Sequence, residues 1–215
     1  MDLVIFDCDG VLIDSEVIAC SADAEALSEI GYAITTEEIV RHFASVPAQA
    51  MYAAVEAELG RALPDDLDAR IKRKVLEKYR TELHIIDGAK EVLSSMRAPK
   101  CVASSSNPAK LALGLIETDL FELLYPHIFS TALVERGKPH PDLFLYSAAA
   151  MGADASSCVV VEDSVAGITA AKAAGMRSIG FVGGSHCPPD QAQRLMDAGA
   201  ERVIDDLRLL LGEVL

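Results

Sequence analysis

The chain of 215 residues is short of positive charge: 19 lysines and arginines stand against 33 aspartates and glutamates, a net charge of −14. Most of such a surface repels phosphate, which argues against DNA, RNA or an anionic membrane as a partner. An anionic ligand would have to be met by a local cation. Paired cysteines are lacking as well. Cys8, Cys20, Cys101, Cys158 and Cys187 are odd in number, widely spaced and without a CxxC. They read as reduced thiols, some of them small hydrophobes within apolar runs. The five histidines have no HxxH or HExxH spacing, which counts against a zinc site. No apolar run approaches the roughly 20 residues that cross a bilayer. The first residues enter a strand with no basic and apolar leader before them, so a cytoplasmic protein is expected.

What is present is a globular composition, 51% apolar and 24% charged, with enough chain to bury a real core. Short apolar runs recur at residues 3–6, 101–104, 127–133, 158–163, 178–183 and 202–206. They are β-branched or aromatic and nearly continuous, as strands buried on both faces of a parallel sheet are. Helical patterns at 88–97, 108–117, 141–151 and 164–174 lie between them. Pro108 suits a first helical turn, and Gly175 suits the residue after a helix end. Alternation of this kind predicts an α/β fold, a Rossmann-like parallel sheet with right-handed crossovers.

One interval breaks the alternation. From Ser15 to Ile86 the pattern holds no strand. Helical spacing covers 15–31, 36–44, 47–59 and 65–83, separated by Gly31, Pro47, Gly60 and Pro64. The expected organisation is an α/β core of residues 1–14 and 87–215 with an inserted all-helical domain at 15–86.

In an open parallel sheet, ligands bind outside the carboxyl ends of the strands. The first run delivers Asp7 and Asp9 to that edge, and the second Ser104, Ser105, Ser106 and Asn107. Lys138 follows the third, and the fourth ends in Glu162 and Asp163. Carboxylates gathered in one crevice repel each other unless a cation sits among them. An all-oxygen set suits Mg²⁺ shared with a substrate phosphate. Hydroxyls and a lysine suit the phosphate itself. With its charge offset, a carboxylate can attack phosphorus, while a second acid protonates the leaving oxygen. The plainer readings are a turn for Asp7 and Asp9, an N-cap for Asn107, a solvated lysine for Lys138, and dipole-complementing acids for Glu162 and Asp163.

Asp7-Cys8-Asp9-Gly10-Val11 resembles the first motif, DxDG[TV], of the haloacid dehalogenase-like hydrolases. Ser104 is similar to the hydroxyl of the second motif, Lys138 to the lysine of the third, and Glu162-Asp163 to the acid pair of the fourth. The inserted helices are similar to that family's cap domain, so the resemblance spans the chain. It implies that Asp7 is the nucleophile and a metal ligand, and Asp9 the general acid and base with its backbone carbonyl on Mg²⁺. Asp163 would be a further ligand, and Glu162 a ligand or an acid just behind the ligands. Ser104 and Lys138 would hold the phosphoryl group, with Ser105 and Asn107 as lesser candidates. The resemblance is greatest to the small helical-cap branch, whose members include sugar-phosphate and sugar-acid-phosphate phosphatases of the 6-phosphogluconate type. The implied activity is Mg²⁺-dependent hydrolysis of a small phosphorylated metabolite through an aspartyl-phosphate.

Three other readings start from these residues. Receiver domains carry an acid cluster, a hydroxyl and a lysine, but have their phospho-acceptor on a middle strand and no inserted helices. β-Phosphoglucomutases share the cap and the four motifs. They place a histidine where this chain has Ala19, ten residues past Asp9, and an arginine where it has residues near Pro47. The phosphonate-hydrolase variant wants a lysine from the first inserted helix, and residues 15–31 contain none. Hydrolysis of a phosphate ester is the expectation.

Overall fold

The computed structural model of the protein describes residues 2–43, 46 and 48–212. The strand β1 (Leu3–Phe6) is buried at every position, as its unbroken apolar sequence requires. It lies between two parallel neighbours, β2 (Lys100–Ser104) and β4 (Cys158–Glu162). Beyond β2 lies β3 (Ile128–Ser130), and beyond β4 lie β5 (Arg177–Phe181) and β6 (Arg202–Ile204). The order is β3-β2-β1-β4-β5-β6. The chain winds outward from β1 through β2 to β3, then returns to the other side of β1 with β4. This reversal opens a crevice at the carboxyl end of β1, the place where such sheets bind ligands.

The chain divides into two compact units, residues 1–14 with 84–215, and residues 15–83. In the α/β unit, Leu3 and Ile5 share one sheet face with Cys101, Ala103, Cys158 and Val160. Leu143, Phe144 and Ala148 of one helix and Ala170 and Ala171 of another complete that core. Four cysteines are buried as free thiols and Cys187 is half-buried.

The described part of the second unit forms α1 (Glu16–Glu29), α2 (Thr36–Phe43), α3 (Ala48–Leu59) and α4 (Leu67–Glu82). Leu67, Ile71, Val75 and Tyr79 recur every fourth residue of α4 and are its buried stripe. On α1, Ile18, Ala22, Ala26 and Leu27 are buried, and this helix packs against α2 and α4. The second division falls three residues before the expected one, because His84–Ile86 joins the α/β unit. There the Ile86 N–H donates to the Leu12 carbonyl, the Asp14 N–H to the His84 carbonyl, and Ile85 bridges Ile13.

The helices of the α/β unit are α5 (Ala89–Ser95), α6 (Pro108–Glu117), α7 (Phe121–Leu124), α8 (Asp142–Ala150), α9 (Val165–Ala173) and α10 (Gln191–Ala198). Neither α7 nor α10 is expected from the sequence. The third strand is shorter than its apolar run: Ser130 Oγ accepts the Ala132 N–H and turns the chain into a 3₁₀ helix at Thr131–Leu133. No helix of the described residues is long and apolar enough to cross a membrane.

Candidate active site

Asp7 follows β1 directly and is buried. Its N–H donates to the Val161 carbonyl of β4, so backbone pairing fixes where its side chain begins. Lys138 reaches it from the loop after β3. Its side chain is only 4% exposed, and the ammonium donates to Asp7 Oδ1 at 2.6 Å, to Glu162 Oε1 at 2.7 Å and to the Ala103 carbonyl at 3.0 Å. It also lies 4.9 Å from the centre of the Phe144 ring. This lysine is therefore a buried strut between two strand ends.

Glu162 closes β4. Its Oε2 accepts the Ser164 N–H at 2.7 Å and the Ser164 hydroxyl at 2.9 Å. Both its oxygens are engaged, one by Lys138 and one by the start of α9. That geometry fits an acid that orients Lys138 better than a ligand in contact with an ion. Ser164 in turn caps α9 by accepting the Gly167 N–H at 3.0 Å. A side chain at position 167 would meet the Glu162 carboxylate and displace it from Lys138 and Ser164, so glycine suits the position.

Asp163, also buried, carries His186 on its Oδ2 at 2.8 Å. Its backbone carbonyl accepts from Gln191 Nε2. Gly10 adopts φ +79°, the left-handed region, and a Cβ there would strike Asp163 Oδ2 and the His186 ring. The DCDG turn thus needs its glycine for conformation and for clearance.

Asp7, Glu162 and Asp163 each offer an oxygen, all within 4.8 Å of one another. Burial pushes Asp7 well above the usual carboxylate range; Lys138 opposes this, and Glu162, Asp163 and Asp9 add to the rise. Burial lifts Asp163 to about 6 against the pull of its bond from His186. For Lys138 burial works against the charge, but Asp7 and Glu162 outweigh it and its pKa rises. For His186 burial likewise opposes the charge, and the bond to Asp163 brings its pKa to about 11. Lys138 and His186, whose raised pKa keeps it a cation, offset two of these three carboxylates. The surplus of buried negative charge and the all-oxygen donor set fit a hard divalent cation.

Asp9 stands apart from this group. Its Oδ2 accepts the Ser106 hydroxyl at 2.6 Å and the Ser104 hydroxyl at 3.2 Å, and its Oδ1 lies 3.0 Å from Lys110 Nζ. Ser104 is buried at the end of β2, and its oxygen also accepts the Ser106 N–H. Asn107 is the N-cap of α6, its side chain accepting the Lys110 N–H at 3.0 Å. Ser105 lies exposed in the turn, and the hydrogen bonds of the cluster run through its neighbours.

Neither Lys110 nor His186 is marked as a site residue by the sequence. Lys110 reads as one more lysine on a helix, although a cation in a first turn opposes the helix dipole and is itself a signal. His186 lies in GGSHC after the fifth strand, where no metal spacing marks it.

A family model described as haloacid dehalogenase-like hydrolase matches residues 1–175. The chain is 32% identical over 190 residues to 6-phosphogluconate phosphatase of Escherichia coli K12, covering 88% of this chain and 86% of that protein. Its fold superposes on a haloacid dehalogenase-like protein of Agrobacterium tumefaciens C58 with a TM-score of 0.89 and 42% identity, over 99% of this chain and 96% of the other. A hydrolase of the same family from Deinococcus radiodurans R1, solved with bound phosphate and sodium, gives a TM-score of 0.84 at 33% identity, over 100% and 96% of the two chains.

Proposed function

The chain belongs to the haloacid dehalogenase-like hydrolases, and we propose that it is a Mg²⁺-dependent phosphatase for a small sugar or sugar-acid phosphate, working through an aspartyl-phosphate. The observation that carries this reading is the buried Asp7–Lys138–Glu162 chain at the end of β1, set beside an Asp9 whose carboxylate is held by Ser104, Ser106 and Lys110.

Asp7 is the nucleophile, its Oδ1 fixed by Lys138. A carboxylate oxygen of Asp7 attacks phosphorus as the bond to the leaving oxygen breaks, and Asp9 supplies the proton that oxygen takes up. Water then attacks the phosphorus of the aspartyl-phosphate, Asp9 takes the water's proton, and cleavage of the P–O bond to Asp7 restores the free carboxylate. Proton transfer of this kind contributes about 10²–10⁴-fold. Ser104 and Lys138 would hold phosphoryl oxygens on exchanging a present bond, that of Ser104 to Asp9 and that of Lys138 to the Ala103 carbonyl. Asp7, Asp163 and the Asp9 carbonyl would hold the Mg²⁺, with Glu162 behind them on Lys138. When bound, the ion would supply positive charge that offsets the repulsion between a carboxylate and a phosphoryl dianion. The helical unit, residues 15–83, acts as the cap that selects the substrate.

The sugar-acid assignment is supported by the relative named 6-phosphogluconate phosphatase and by relatives named phosphorylated carbohydrates phosphatase and hexitol phosphatase B. Ala19, within α1, offers no side-chain group for a mutase's proton transfer. The position near Pro47 lies outside the described residues.

The test is phosphate release across a panel of sugar, sugar-acid, polyol and nucleotide monophosphates. Many turnovers on a sugar or sugar-acid phosphate are expected, abolished by EDTA and restored by Mg²⁺. Conversion of glucose 1-phosphate to glucose 6-phosphate without net release would make it a mutase. Stoichiometric retention of one phosphate would make it a switch.

A further inference from the structure

The turn after β2 places three side chains on one carboxylate. Ser104, Ser106 and Lys110 all meet Asp9, and all come from the seven residues 104–110. This turn is rigidly built. Ser106 N–H donates to Ser104 Oγ at 2.9 Å, and the Ser106 carbonyl accepts the Ser130 hydroxyl from the end of β3 at 2.6 Å. Asn107 caps α6 on the N–H of Lys110 itself. The backbone that carries Lys110 is thus anchored to two strand ends and a cap.

The lysine's location breaks a local rule. Residue 110 is in the first turn of α6, and no acidic residue accompanies it there. A cation so placed faces the positive end of the helix dipole. Its compensation comes from outside the helix, from Asp9, more than a hundred residues away in the sequence. Both side chains are largely buried, 22% and 14% exposed, so water screens this pair less than it does a surface pair. A helix would not gain from a lysine here; the Asp9 carboxylate does.

We propose that Lys110, together with Ser106, is the positioning residue for Asp9: the ion pair and the short hydroxyl bond hold the Asp9 carboxylate at the β2 end of the crevice, apart from the Asp7–Glu162–Asp163 group. This rests on the phosphatase reading for its kinetic consequence, and on geometry alone for its structural one. Held there, Asp9 is available to the leaving oxygen rather than drawn onto the ion with Asp7. The task of Lys110 differs from that of Lys138, which binds Asp7.

The experiment compares wild type with Lys110→Met, Lys110→Arg and Ser106→Ala on two substrates. One is p-nitrophenyl phosphate, whose leaving group departs without a proton. The other is the alkyl phosphate that the wild type hydrolyses fastest. A misplaced Asp9 should lower kcat/KM for the alkyl ester by roughly 10- to 100-fold in Lys110→Met. The p-nitrophenyl ester should lose no more than about threefold. Inhibition by inorganic phosphate should be unchanged, and Lys110→Arg should recover most of the loss. Equal losses on both substrates with weaker phosphate inhibition would overturn the proposal and make Lys110 a phosphoryl ligand. A Lys110→Met protein kinetically identical to wild type would overturn it too. A crystal structure of Lys110→Met decides the geometric part independently of turnover: an Asp9 carboxylate still bonded to Ser106 in the same rotamer refutes positioning by Lys110. Should Lys110→Met fail to fold, Ser106→Ala breaks the other half of the same clamp and is read in the same assays. A wild type that releases phosphate from no monoester would remove the phosphatase reading and leave the crystallographic arm to judge this one.

Discussion

In the helical unit, the charged side chains pair across the surface; in the α/β unit, three acids and a lysine are buried together. Lys78 of α4 meets Glu25 of α1 at 2.9 Å with the glutamate 46% exposed, and Lys74 meets Glu29 at 2.8 Å with that glutamate 51% exposed. Asp7, Glu162 and Lys138 meet at similar distances with 10%, 1% and 4% exposure. Contact geometry is therefore nearly equal in the two units, and the surroundings decide what it means. Water around the helical pairs screens them and leaves each worth little. The buried carboxylates repel one another more strongly than surface ones do, Lys138 and His186 do not cancel all of that charge, and the surplus fits a cation.

The comparison can be broken most sharply at Asp7. Asp7→Asn keeps the shape and removes the nucleophile, so phosphate release should fall by roughly 10⁴-fold or more, with the thermal midpoint retained. Undiminished release would remove the α/β cluster from the chemistry. Next in size is Lys138→Met, which leaves Asp7 and Glu162 facing each other without the cation they share. Equilibrium unfolding in EDTA should show a loss of roughly 3–5 kcal/mol. A loss below 1 kcal/mol would mean the buried group carries little net charge. Gly167→Ala should cost about 1–3 kcal/mol, because the Glu162 carboxylate must move to admit the methyl group. Its readout is the same denaturation curve together with a lowered kcat, since Glu162 orients Lys138.

The smallest effect belongs to the helical unit. Lys78→Met should destabilise by roughly 0.2–1 kcal/mol, and less in high salt. The bond from Lys78 is the largest of the influences that hold Glu25 below its usual 4.5. A depressed carboxylate pKa stabilises the fold above the unfolded value, and that contribution is lost as pH falls through the folded value. The difference between wild type and Lys78→Met should therefore be present at neutral pH and shrink below about pH 4.5. A difference that grew in acid would refute the surface-pair account.

Much of this contrast is legible in the residues. The runs of strands and helices follow from local hydrophobic patterning, and LVIF ending in DCDG marks a buried strand that stops at a charged turn. Asn107 before Pro108 reads as an N-cap and is one. The 84–86 segment misleads because HII carries no periodicity of its own; its place is set by backbone bonds to residues 12–14. Likewise α10 has only two buried residues, Gln191 and Leu195, and so writes a faint pattern.

By itself the sequence determined that an acidic, α/β chain brings Asp7, Asp9, Ser104, Lys138, Glu162 and Asp163 to strand ends, because strand termini and turns follow from neighbours a few residues apart. Only the tertiary structure decided who meets whom. It put β1 between β2 and β4, and so brought together residues as far apart as Lys138 and Asp7, separated by 131 positions. It gave Lys138 to Asp7 and Glu162, Lys110 to Asp9, and His186 to Asp163. Pairings at such separations depend on strand order and on the depth at which each charge is buried, and local patterning encodes neither.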